Sequence, residues 1–180
     1  MSTSPPTNLP DPAYTAVLTS YVTREIDAPL ETVWEILSDF TQYPDWNPFV
    51  RSQQITDETG TTVLEDQTPA EGKYLLMKTH IPPTLEDTVW TQDAFELIIA
   101  YDEDNRRMAW QSLLPQWLIK AERWQALSTT ADGKTFYESR EIFAGFGAYL
   151  IQWLIPTPLT QSFEAMADAI QTRAEAAGQQ

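Results

Sequence analysis

The chain has 180 residues, 42% of them hydrophobic and 12% aromatic, enough to close one core, and 26 acidic against 11 basic side chains leave it at −15. That charge repels phosphate backbones and anionic headgroups at long range, which excludes nucleic acid as a partner and argues against a membrane surface. Without cysteine there is no disulfide, thiolate metal site or cysteine nucleophile, and a reducing, cytoplasmic setting fits.

Residues 1–16 carry four prolines and neither a basic nor an apolar block, so they read as a disordered leader and not as a secretory signal; one domain follows over 17–180. Val17 to Ile26 alternates as a strand. Pro29 and Glu31 then mark a helix start, and Leu30, Val33, Trp34 and Leu37 form its apolar stripe. The helix should stop near Phe40, and Tyr43 to Pro48 is too proline-rich for more than a tight helical turn. Asp39 and Asp45 flank that turn as candidate caps of backbone amides.

From Phe49 to about Phe143, breaks at 57–60, 81–84, 102–105, 114–116 and 131–133 separate six runs with no helix between them, the punctuation of an antiparallel meander. Ile142 to Phe163 is a charge-free stretch of 22 residues, but Gly145, Gly147, Pro156 and Pro158 interrupt it, so a buried or partner-covered helix is expected in place of a membrane span. Leu159, Phe163, Met166, Ala167, Ile170 and Ala174 then recur at three- and four-residue spacing, with Thr157-Pro158 as cap and first position. The fold class is α+β: a strongly bent seven-stranded antiparallel sheet around a long C-terminal helix, with two short helices after the first strand. One long helix cannot fill so large a concave face, which leaves room for a cavity.

The stretch IDAPLETVWEILSDFTQYPDWNPF, Ile26 to Phe49, closely resembles the opening signature of the START-related, birch-pollen-allergen-like superfamily, in particular its polyketide cyclase/dehydrase branch. A second match lies in Glu141 to Gly145 and Ser162 to Glu175, so the resemblance spans about residues 17–176. It implies a helix-grip fold enclosing a hydrophobic ligand. The longer connection from Pro82 to Asp93 and the Pro156-Thr157-Pro158 break depart from simpler members, at places where such folds carry the elements of the pocket mouth.

Strand parity assigns the inner face independently of that resemblance. Pairing Thr130 with Lys134 across a three-residue loop sets Leu127 opposite Tyr137, Gln125 opposite Ser139 and Arg123 opposite Glu141, all on one face. Pairing Tyr101 with Arg106 sets Ile99 beside Met108, Leu97 beside Trp110 and Phe95 beside Ser112, with Glu96 and Gln111 outside. Leu75, Met77, Thr79 and Ile81 form the inner set of their strand, and His80 points outward. With Phe143, these positions make apolar walls and a few orienting polar groups, the usual composition of a ligand site.

Glu141 and Arg123, with Tyr137 nearby, are the candidate catalytic groups. The pair anchors or protonates a ligand, or it is an ion pair bracing the sheet. His80, the sole histidine, would suit a general base, but its parity places it outside. No metal site is expected from one histidine, no cysteine and acidic residues in turns, nor is an organic cofactor, and no nucleophile-elbow, phosphate-loop or dinucleotide glycine pattern occurs. Three functions remain open: an enzyme that cyclises, dehydrates or isomerises a polyketide- or terpenoid-like molecule, a carrier of a lipid or quinone, and an interaction module using an exposed Tyr149 to Ile155. The protein is expected to act as monomer or homodimer.

Overall fold

In the computed structural model, which describes residues 5–178, β1 (Leu18–Ile26) is followed by α1 (Leu30–Ser38), a single 3-10 turn at Phe40–Gln42 and the short α2 (Tyr43–Trp46). Strands β2 (Val50–Thr56), β3 (Tyr74–Thr79), β4 (Gln92–Asp102), β5 (Arg107–Ser112), β6 (Lys120–Thr129) and β7 (Thr135–Ala144) come next, then α3 (Phe146–Leu154) and α4 (Pro156–Ala177). The sheet has seven strands in the order β1-β7-β6-β5-β4-β3-β2, every neighbouring pair antiparallel, so only the β7–β1 pairing joins elements far apart in sequence. This is the helix-grip architecture that the pattern of elements implied.

The core forms where the apolar stripe of α4 meets the concave sheet and α1. Leu159, Phe163, Met166, Ala167, Ile170 and Ala174 are all buried there with Val33, Trp34 and Leu37. The turn after α1 is fixed by short bonds: Tyr43 donates its hydroxyl to Leu37 O at 2.7 Å, and Asn47 Oδ1 accepts from the Phe49 and Val50 amides at 3.0 and 2.9 Å. Asp39 caps the 3-10 turn through the Thr41 amide. Asp45 makes no such bond among the described residues and sits in the first turn of α2, where its charge favours the helix dipole. Helix α4 begins at Pro156, two residues before the expected first position, because Pro156 has no amide hydrogen to satisfy there.

Two expectations differ from the structure. Of the leader, residues 1–4 lie outside the described residues, but residues 5–16 are laid along the sheet. Thr7 Oγ1 and the Asn8 amide donate to the Glu138 carboxylate at 2.8 and 2.9 Å, Asn8 Nδ2 donates to Leu127 O at 2.7 Å, and Tyr14 packs under the Lys120 ammonium. Polar side chains on the outer face of β7 give a proline-rich segment partners that composition alone does not reveal. The second difference is in β4. The tip keeps the expected parity, although Tyr101 pairs with Met108 and not with Arg106, and a β-bulge between Ile98 and Ala100 then makes Ile98 the partner of Trp110 and Glu96 the partner of Ser112. One extra residue turns every earlier side chain of the strand over. Phe95, Leu97 and Ile99 therefore face outward, Phe95 stacked on Tyr74 at 5.8 Å, while Glu96 and Ile98 face inward.

Replacing Asn8 by Ala removes the bonds to Leu127 O and Asn105 O and is expected to lower stability by about 1–2 kcal/mol in urea unfolding. An unchanged midpoint would show that the segment rests on the sheet without stabilising it.

Candidate functional site

Between α4 and the upper half of the sheet lies a cavity of about 280 Å³, close to the lower end of the roughly 300–1,000 Å³ typical of small-molecule sites. Met77 and Thr79 of β3, Ala94 and Glu96 of β4, Trp110 of β5, Ala121 and Arg123 of β6, and Glu141 and Phe143 of β7 supply the sheet wall. Phe49, Ile81, Ile119, Ile151, Ile155 and Leu159 close it from the loops and helices. The α3–α4 break places Ile155 on this wall, and Ser162 Oγ donates to His80 O at 3.2 Å, tying the start of α4 to the 80–90 loop.

Arg123 is the charged group at the centre of that wall. It is 3% exposed, yet among the described residues no carboxylate oxygen lies within 4.0 Å of it. Its Nε donates to Ser139 Oγ at 3.3 Å, its Nη2 lies 3.2 Å from the Met166 sulfur, and its guanidinium carbon is 4.4, 5.3 and 5.9 Å from the ring centroids of Phe163, Phe49 and Trp110. Three π faces and a thioether hold the cation where an ion pair would otherwise be required. Glu141 pairs with Arg123 across β6 and β7 as the hairpin arithmetic implies, but the expected bracing ion pair does not form, because the guanidinium folds onto the rings.

Two carboxyls are left without protein donors. Both line the cavity, Glu96 buried and Glu141 half-buried, and among the described residues neither carboxyl is paired with a protein cation within 4.0 Å or accepts a protein hydrogen bond. Burial pushes the Glu141 carboxyl up to about 7, against the pull of the Arg123 charge. Burial raises Glu96 well above the usual carboxylate range, and the nearby Glu141 charge adds to the effect while Arg123 opposes it. Apart from the exposed Asp93 at its edge, the wall holds one cation and two carboxyls, so these three groups together are electroneutral with one proton.

Of the residues assigned to the site from parity, Glu141, Arg123, Met77, Trp110 and Phe143 line the cavity. Tyr137, Gln125, Ser139, Leu75 and Met108 are inward and buried but lie in packed rows below it; Tyr137 donates to Gln125 Oε1 at 2.6 Å, so its hydroxyl is already engaged. Phe95, Leu97 and Ile99 are on the far face. His80 is neither outward nor in the cavity: it is 1% exposed, its ring nitrogens 2.8 and 3.2 Å from Thr84 O and Val89 O, because the 81–90 loop folds back over the strand end. Glu96 is the residue that strand parity missed, and an acidic side chain flanked by three half-buried apolar ones carries no signal of a bulge.

Around the mouth the surface is apolar. Trp90, Trp117 and Trp153 are 77, 73 and 80% exposed, with Leu114, Phe146 and Tyr149 among them. The α3 start is locked to the 115–119 turn: the Phe146 and Gly147 amides donate to Trp117 O and Leu118 O at 3.1 and 2.7 Å, and Gly145 takes φ +86° with two carbonyls 2.9 Å from where a Cβ would stand. No helix among the described residues is long and apolar enough to cross a membrane.

A seven-stranded antiparallel sheet gripping one long helix around a cavity that carries ionisable groups defines the helix-grip fold. The chain belongs to the family described as polyketide cyclase/dehydrase and lipid transport, whose model matches residues 18–175. It is similar to oxopyrrolidines biosynthesis cluster protein O of Penicillium oxalicum, 24% identical over 174 residues that cover 87% of this chain and 86% of that one. Among solved structures it resembles a hypothetical protein from Helicobacter pylori, with a TM-score of 0.72 at 10% identity over 97% of this chain and 99% of that one. It also resembles the ZhuI aromatase/cyclase of a Streptomyces species, with a TM-score of 0.64 at 15% identity over 88% and 93% of the two chains. At these identities the structural likenesses speak for the fold.

The raised Glu141 carboxyl has a consequence for stability. Its proton is held more tightly in the folded than in the unfolded chain, so its stabilising contribution is complete below the ordinary value of 4.5 and is lost as pH rises through about 7. Between pH 5 and pH 8 the wild type should therefore lose on the order of 3 kcal/mol more stability than Glu141→Gln, measured by urea unfolding at both values. Parallel pH profiles for the two proteins would contradict the burial assigned to this group.

Proposed function

We propose that the protein binds a hydrophobic small molecule of polyketide, terpenoid or lipid type in the cavity and uses Glu141 as an acid/base group to cyclise, dehydrate or isomerise it. The observation that carries this reading is a carboxyl with no protein partner on the wall of a largely apolar cavity. A structural carboxylate in such a place would be paired, since leaving it unpaired costs stability. A group whose proton exchanges near neutral pH and which a ligand can reach has the properties of a general acid/base. No metal or nucleophile is needed, because holding a flexible chain in one reactive conformation already removes much of the barrier. Burying about 300 Å² of apolar ligand surface contributes roughly 7 kcal/mol before association costs, which supports micromolar binding.

The comparisons support the same direction. The family description names cyclase and dehydrase activity, one relative is named for a biosynthetic cluster and one structural neighbour for aromatase/cyclase activity. The description also names lipid transport, and the aromatic rim around the mouth favours, as a second reading, a carrier that takes up its ligand there.

Native mass spectrometry of the purified protein, with extraction of any retained ligand, tests the reading. An aromatic or polyene ligand altered on incubation supports the enzyme, and a lipid recovered unchanged supports the carrier. In the wall itself, Trp110→Ala and Met77→Ala should each weaken binding of a hydrophobic fluorescent probe by about 10-fold or more, the loss expected on removing a buried side chain. Leu97→Ala and Phe95→Ala, on the far face, should leave it within about 2-fold. The reverse pattern would contradict both the bulge in β4 and the cavity as the binding site.

A further inference from the structure

Glu96 and Glu141 stand three strands apart, on β4 and β7, about 14 Å along the sheet at roughly 4.8 Å per strand. Curvature brings both onto one cavity of about 280 Å³. They form no hydrogen-bonded dyad with each other among the described residues, and both border the space that a molecule filling the cavity would occupy. We propose that Glu96 and Glu141 act as an opposed pair on an uncharged hydrophobic ligand bearing an enolisable carbonyl, Glu96 as the acid at the carbonyl oxygen and Glu141 as the base at the adjacent carbon. This deepens the reading above, on whose cavity it rests, by adding a second catalytic residue and the class of ligand.

Three observations carry it. Glu96 is 7% exposed and Glu141 half-buried, and neither carboxyl has a protein hydrogen-bond partner among the described residues, so both are free to meet the cavity's contents. The bulge at Ile98 to Ala100 is what turns Glu96 inward; with an unbroken register its place on the wall would fall to Phe95 or Leu97. Bulges beside a cavity re-aim a particular side chain. Third is the charge count. Arg123 with one carboxylate and one carboxylic acid is neutral, and of the two glutamates Glu96, 7% exposed against the half-buried Glu141, is the one whose surroundings favour the acid. An ammonium ligand would need both carboxyls ionised and an anionic ligand both protonated. An uncharged carbonyl compound needs neither and meets one donor and one acceptor.

The step balances without a cofactor. Glu141 takes a proton from the carbon beside the carbonyl, that C–H pair becomes the new C=C bond, and the carbonyl π pair takes the proton of Glu96. Glu96 is then a carboxylate and Glu141 an acid. Return of the proton from Glu141 to a conjugated carbon isomerises the ligand, its return to the same carbon exchanges that hydrogen, and in either case the enol proton goes back to Glu96 and restores the enzyme. In heavy water Glu141 returns deuterium.

2-Acetylnaphthalene, an uncharged ketone, is a suitable probe. Wild type should speed deuterium uptake into its methyl group, followed by NMR, about 10-fold or more over buffer, and Glu96→Gln and Glu141→Gln should each cut that rate about 10-fold or more. Both should still bind the ketone within about 3-fold by quenching of tryptophan fluorescence. Glu96→Asp, which keeps the charge chemistry but withdraws the carboxyl from the wall, should behave like Glu96→Gln and covers the case in which the latter does not fold. Full exchange in both Glu96 variants with loss in Glu141→Gln would overturn the pair while leaving the reading of Glu141 intact. Binding without exchange in wild type would overturn the pair as well. Tighter binding of 2-naphthoate or of 2-naphthylmethylammonium than of the ketone would overturn the ligand class. Failure of all three to bind would overturn the cavity reading itself.

Discussion

A guanidinium buried in a concave sheet has to be compensated, and the way Arg123 is compensated determines the rest of the site. The aromatic faces of Phe49, Trp110 and Phe163, the Met166 sulfur and Ser139 Oγ take up its charge and one of its donors. Each contact is weak alone, but in a dry setting several together hold a cation in one place. Had Glu141 closed an ion pair with Arg123, the wall would hold a satisfied salt bridge and one stranded Glu96. Because the rings hold the arginine, both carboxyls stay within its field yet remain free to meet a ligand.

The cage also couples the site to the fold. Phe163 and Met166 belong to α4, Phe49 to the turn after α2, Trp110 to β5 and Ser139 to β7, so Arg123 sits where the gripped helix, the opening motif and the sheet meet. A shift of α4 along the sheet would move two of the cage groups at once. The cavity lies beside this cage, and Gln125, Tyr137 and Leu127, further along the same inner face, are buried and do not line it.

Much of this was legible in the residues. The number and order of strands follow from turn punctuation, and the β6–β7 pairing follows from Ala131-Asp132-Gly133, where Gly133 takes φ +85° and the Thr130 amide bonds Lys134 O at 2.9 Å. That hairpin delivered Arg123 and Glu141 to the inner face in the register observed. What was not legible was the bulge. Phe95, Leu97 and Ile99 are apolar on a face that the 57–73 loop covers, with Gly60 against the Phe95 ring, so alternation reads equally well in either parity and favours the wrong one. Nor does parity say where an inward side chain meets another and where it meets a void: Tyr137 and Met108 were placed on the right face, and packing covers both. The leader escaped for a related reason, because its partners, Glu138 and two backbone carbonyls, are far away in the chain.

The central claim is that two glutamates on the wall of one cavity share one arginine's field with no protein donors of their own. Carbon NMR of the glutamate side-chain carboxyls, followed through pH and assigned with Glu96→Gln and Glu141→Gln, tests it most directly. The account expects Glu96 and Glu141 both to titrate above the exposed glutamates, and both to move when 2-acetylnaphthalene is added. Two carboxyls that titrate with the exposed glutamates, and ignore the ketone, would contradict it.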